Sequence, residues 1–152
     1  MTARLPAGLA AGAAATAALN VVTYLDMTLR GRPASSMPET DVQRLADLAG
    51  VDLGEGETAD ARRSGAGALM GYVTGLTAGA AWSLVAPLTR RLPRPLAAAA
   101  AGLGVMAATD GVSTALGATD PRSWAAADWA ADVIPHLAYG AVCVWTFDRL
   151  RG

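Results

Sequence analysis

The sequence predicts an all-α fold: an integral membrane four-helix bundle, one domain over 1–152, with a short amphipathic helix in the first connection. Three observations predict it. Residues 5–25 and 64–89 carry no charge at all. Asp110 is the only charged residue between 95 and 119. The stretch 129–147 holds only Asp132 and the single histidine, His136. Each stretch meets or approaches the roughly 20 mainly apolar residues that cross a hydrocarbon core. The expected spans are 7–28, 65–88, 96–117 and 128–148.

A soluble Ala-rich bundle is the competing fold, because runs such as "AAGAAATAA" and "LAAAAAGLG" are only weakly hydrophobic. A soluble helix of this length shows a charged face at a period of 3.6 residues. The second stretch has no charge on any face for 26 residues. That favours the membrane.

The elements follow in order. Arg4 precedes a small apolar run in which Ala15-Thr16-Ala17 resembles a signal-peptide cleavage site. The run continues unbroken through "LNVVTYL", so a retained first helix is expected. In the connection that follows, "SSMPETDVQRLADLAGV" reads as a helix over about 38–49. Ser36 and Glu39 have capping-box spacing, and Val42, Leu45, Ala46 and Ala49 share a face. Glu39, Asp41 and Asp47 make this helix unsuited to anionic lipid, so it is expected to cross the bundle mouth as a lid. The Gly- and acid-rich "GVDLGEGETADA" is expected to be mobile.

Prolines in "TRRLPRP" end the second span and start the third. In "GATDPRSW", Asp120 is the expected N-cap and Pro121 the first residue of a helix running to 148. Six arginines fall on the side of the termini and six on the other, but three of the former crowd into the tight 89–95 turn. Both termini are therefore expected in the cytoplasm, with the protein in the cell membrane.

Composition narrows the function classes. All twelve basic residues are arginine, which a high-GC coding bias explains; the net charge is −1 and no basic cluster exists, which argues against nucleic acid. Cys143 stands alone, so no internal disulfide or paired-thiol metal site can form. One histidine with two aspartates and no well-spaced glutamate is a poor zinc set. No metal and no cofactor are expected. Cys143 lies two turns from His136, too far along one helix for a thiolate–imidazole pair, so an enzyme is the least favoured class.

Two patterns remain. Gly67, Gly71, Gly75 and Gly79 form a four-residue ladder, a glycine zipper, and Gly8, Gly12 and Thr16 begin a similar line in the first span. Small residues let helix backbones approach where lipid supplies no hydrophobic drive. Packing of the second span on the first is expected, with a homo-oligomer through the glycine face as the alternative.

The second pattern is a polar layer. Counted from the lid side, Asn20 and Asp110 lie about 10 Å deep and His136 about 12 Å, with Thr74 at similar depth. On the fourth span Asp128, Asp132, His136, Tyr139 and Cys143 fall within about 80° of circumference. Pro135 frees the Ala131 carbonyl between Asp132 and His136 and is expected to kink the helix there. Asp110 and His136 are expected to face each other, directly or through one water.

The segments "GATDPRSWAAADWAADVIPHLAYGAV" and "LNVVTYLDMTLRGRPASSMPE" resemble small multi-pass membrane proteins of high-GC Gram-positive bacteria. The resemblance covers most of the chain. It implies a membrane protein and carries no activity, substrate or cofactor with it. Two functions are then in play: a non-enzymatic packing or accessory membrane protein, and a small proton- or cation-coupled carrier or channel using the Asp/His layer. An intramembrane acid costs about 2.5–3.5 kcal/mol on insertion scales, so it needs either a partner or a job.

Overall fold

A computed structural model describes residues 4–151, and it is all-helical. The elements are α1 (Arg4–Arg30), α2 (Met37–Ala49), α3 (Gly56–Val85), α4 (Arg94–Ala115) and α5 (Ala126–Arg151), with a 3₁₀ turn at Pro121–Ser123. Four of them, α1, α3, α4 and α5, are long and apolar enough to cross a membrane. At 1.5 Å per residue even the shortest, α4 with 22 residues, spans about 33 Å.

Helix α1 lies centrally, packed on α3 along one side and on α5 along the other; α5 in turn carries α4, and α2 packs on α3. Between α3 and α4 contact is slight. The core brings the start of α1 (Ala7, Ala11) to the ends of α3 (Trp82, Ala86) and α5 (Val144, Phe147) and the start of α4 (Ala97). Both ends of the described chain therefore lie at one end of the bundle, and the lid helix α2 at the other.

The side chains are distributed inside out relative to a soluble protein. Alanine, glycine and serine fill much of the interior, while Leu69, Val73, Leu84, Leu88, Leu96, Val112, Ile134 and Trp145 are exposed. Large apolar residues on the outer surface of every long helix suit a lipid surround, and small ones inside allow close packing. The protein is membrane-spanning on this arrangement and on the length of its helices.

Several expectations are corrected. Helix α3 begins at Gly56, nine residues before the expected 65, so the second half of the stretch expected to be mobile is its first turns. A charge-free window finds only the part in hydrocarbon, whereas a helix continues into the interface, where Glu57, Asp60, Arg62 and Arg63 are tolerated. Ser36 occupies the N-cap of α2 but makes no side-chain capping bond; the Met37 amide donates instead to Ser35 Oγ at 3.2 Å. Leu45 is exposed, and the inward face of α2 is Asp41, Val42 and Ala46.

Pro121 opens the 3₁₀ turn rather than α5; Asp120 does cap it, accepting from the Arg122 amide at 3.0 Å. The chain is extended at Trp124, and α5 starts at Ala126, with Asp128 accepting from the Ala125 amide at 2.9 Å. Asp128 is thus a cap. Helix α5 runs continuously through Pro135.

Candidate functional site

The glycines set how closely the helices approach. A Cβ on Gly8 would sit 2.6 Å from the Gly79 carbonyl oxygen, and one on Gly12 2.5 Å from that of Gly75. A Cβ on Gly75 would strike Thr16 Oγ1, and one on Gly79 would strike the Gly8 carbonyl. Helices α1 and α3 are therefore in backbone contact. Gly67 serves another neighbour, since its Cβ would lie 3.1 Å from Pro38 of the lid. Gly71 departs from the expected ladder: nothing lies within 4 Å of it. Four glycines spaced by four drift around a straight helix and meet different neighbours, and Gly71 falls between them.

A second backbone contact was not foreseen. A Cβ on Gly102 of α4 would strike the His136 carbonyl oxygen, and one on Gly140 of α5 would strike that of Ala98. Neither glycine belongs to a ladder, and in sequence Gly102 looks no different from Gly104, which faces open space. This contact sets α4 directly against the histidine's own turn of α5.

The polar residues fall into two groups. In the first, His136 Nδ1 lies 2.9 Å from the Asp132 main-chain carbonyl and 3.2 Å from Asp132 Oδ1. A carbonyl oxygen only accepts, so Nδ1 carries the hydrogen and, in a neutral ring, Nε2 keeps the basic lone pair. The charges of Asp132 and His136 both bear on the Asp110 carboxyl, that of Asp132 more strongly. Asp132 thus joins the expected Asp110–His136 pair as a third member of the group. Helix geometry explains its place: Asp132 and His136 are one turn apart on a single face.

Two carboxyl oxygens of this group, Asp110 Oδ1 and Asp132 Oδ2, are buried with no hydrogen-bond partner among the described residues. Asp110 is 8% exposed, whereas the side chains of Asp132 and His136 keep 20% and 12% of their surface. The inner acid is thus sealed and the outer pair partly accessible.

The group continues towards the mouth. One turn along α4 from Asp110, Ser113 is buried and donates to Oδ2 of Asp41 in the lid at 2.6 Å. Asp41 Oδ1 is buried and unpartnered. In the sequence Asp41 counts only as one of three acids that make the lid unsuited to anionic lipid. The signal available was its position next to Val42, on the face that the helix buries.

The second polar group lies deeper. Tyr139 is 2% exposed and its hydroxyl donates to the Gly75 carbonyl at 2.6 Å, tying α5 to α3 beside Thr16, whose hydroxyl donates to the Gly12 carbonyl at 2.8 Å. Cys143 is buried next to Tyr139. Asn20 and Thr74 are half-buried, and neither is hydrogen-bonded to the aspartates among the described residues.

Two surface grooves stand out among the described residues. One, of about 420 Å³, lies between α4 and α5 at the end holding the termini; the other, of about 310 Å³, lies between the lid and α3. Neither is lined by Asp110, Asp132 or His136. No grouping of three or more metal-ligating side chains occurs among the described residues.

Fold and site together define a membrane-spanning helical bundle with a buried acid–histidine group. No family model, curated protein or solved structure matches the chain.

Proposed function

We propose that the protein is a non-enzymatic, multi-pass protein of the cell membrane that binds a proton at Asp110, Asp132 and His136 and uses it in proton- or cation-coupled passage through the bundle. The observation that supports this is the pair of neighbouring carboxyl groups, each with a buried oxygen lacking a partner. Two ionised carboxylates held as neighbours in a partly buried place repel each other more strongly than in water. A single shared proton relieves that repulsion and gives the orphaned oxygens a donor. His136 then supplies a second titratable station, with Nε2 as its free base.

Ser113 and Asp41 extend the polar line to the lid, so that the path opens on the side away from the termini. The arginine-rich 89–95 turn supports placing both termini in the cytoplasm.

A packing or accessory role is the second reading. It is favoured by the absence of Asp110, Asp132 and His136 from both surface grooves, and by glycine contacts that bring the helices together at backbone distance. One experiment separates the two. Purified protein in liposomes with an imposed pH gradient and an internal pH dye should dissipate the gradient faster than empty liposomes. Asp110→Asn and Asp132→Asn should remove the difference while keeping the helical circular-dichroism spectrum. A wild-type protein that leaves the gradient intact, with and without an added alkali cation, sinks the carrier reading and leaves the accessory one.

A further inference from the structure

The groove between α4 and α5 combines features that the Asp/His group does not use. Its walls are Ala98, Ala141 and Val144, closed on one side by Trp145, and its mouth is framed by Arg94, Arg149 and the carboxylate of Asp148. Arg149 lies over the Trp145 ring at 5.4 Å, which holds the guanidinium at the rim. Asp148 takes only Nε of Arg94, at 3.1 Å. The two terminal nitrogens of Arg94 make no hydrogen bond among the described residues, and 80% of its side chain is exposed.

The surroundings have one sign. The stretches 86–94 and 145–151 contain five arginines, Arg90, Arg91, Arg94, Arg149 and Arg151, against the single acid Asp148. The groove therefore has an apolar floor running along two membrane spans and a cationic lip at their ends, beside an exposed tryptophan of the kind that marks a headgroup level.

We propose that this groove binds an anionic glycerophospholipid, its phosphate held between Arg94 and Arg149 and one acyl chain lying along Ala98, Ala141 and Trp145. Charge complementarity selects the occupant. A fork of guanidinium donors matches phosphate oxygens, and the apolar floor matches a chain that free phosphate lacks. The proposal rests on the membrane reading and is independent of proton binding.

Native mass spectrometry of the detergent-purified protein with equimolar phosphatidylglycerol and phosphatidylcholine tests it. The anionic lipid should be retained preferentially, and Arg94→Gln or Arg149→Gln should each lower that preference about five-fold. Arg122→Gln, at the opposite end of the bundle, should leave it unchanged. Ala141→Trp, which fills the floor and keeps every charge, should displace the lipid while Arg94 and Arg149 remain. Equal retention of the two lipids, or undiminished retention in the Arg94, Arg149 and Ala141 variants, overturns the proposal. Flotation with vesicles of phosphatidylcholine alone tests membrane insertion separately, so a failure of that reading shows there first.

Discussion

Ser113 in α4 and Asp41 in α2 are hydrogen-bonded at 2.6 Å across 72 residues of sequence, with both side chains buried. This bond joins the lid to α4, while Pro38 against Gly67 and Arg63 Nη1 donating to Gln43 at 2.8 Å join it to α3. The lid thus bridges two helices that make only slight contact with each other.

Ser113→Ala should loosen that bridge. It leaves both Asp41 oxygens without a donor in a buried place, at a cost of about 1–3 kcal/mol. Hydrogen exchange at α2 should rise while the long helices keep their protection. An unchanged exchange rate at α2 would mean that the bond does not hold the lid.

Gly75→Leu and Gly79→Leu should unfold the α1–α3 contact, because each new side chain meets backbone or a buried Thr16 and not a movable tip. The loss should exceed the about 1–3 kcal/mol of ordinary overpacking. Gly71→Leu and Gly104→Leu face open space and should keep the wild-type melting temperature in detergent. Equal losses at all four positions would refute the assignment of contacts.

Asp110→Asn should keep the fold, since an amide can donate to the Asp132 carboxylate where the shared proton stood. Asp110→Leu should lower stability by about 1–3 kcal/mol by leaving Asp132 Oδ2 buried with no donor in reach. Thermal melts of the two variants decide the matter. Leucine tolerated as well as asparagine would show that the two acids do not interact.

Tyr139→Phe removes the donor to the Gly75 carbonyl at near-constant volume and should cost about 1 kcal/mol. Because Tyr139 lies outside the Asp/His group, pH-gradient dissipation should survive in this variant. Loss of dissipation with a native melt would place Tyr139 on the proton path.

Single cysteines at Thr2 and Gly152, in a Cys143→Ser background, should be labelled from the same side of sealed vesicles by an impermeant maleimide. Four crossings require this. Labelling from opposite sides would remove one span.

The architecture was legible because crossing hydrocarbon imposes a simple demand, a long apolar run with at most a charge or two, and all four long helices meet it. Their ends were less legible: Gly56–Arg63 is helical although charged, since the demand stops at the interface. At the site, depth counting brought Asp110 and His136 to one level but did not single out Asp132 as the residue in contact with the histidine. Asp41 was hidden by its charge, which reads as a solvated face until a buried serine is seen to meet it. Gly102 and Gly140 were hidden because a single glycine in an Ala-rich helix carries no pattern, whereas the pattern of the ladder promoted Gly71, which touches nothing.

The slight contact between α3 and α4 makes the bundle resemble a book. Helices α3 and α1 form one cover and α4 and α5 the other, each bound internally by glycine against backbone. The α1–α5 junction is the spine, and α2 is the clasp across the open edge. Releasing the clasp needs the Ser113–Asp41 bond and the contacts of Pro38 and Gln43 to give way, and a swing of the covers must also break the Tyr139–Gly75 bond between α5 and α3, but no glycine contact within either cover. Because the Gly102–His136 contact lies within one cover, Asp110, Asp132 and His136 would travel together, and the acid–histidine group would keep its geometry whether the book is shut or ajar.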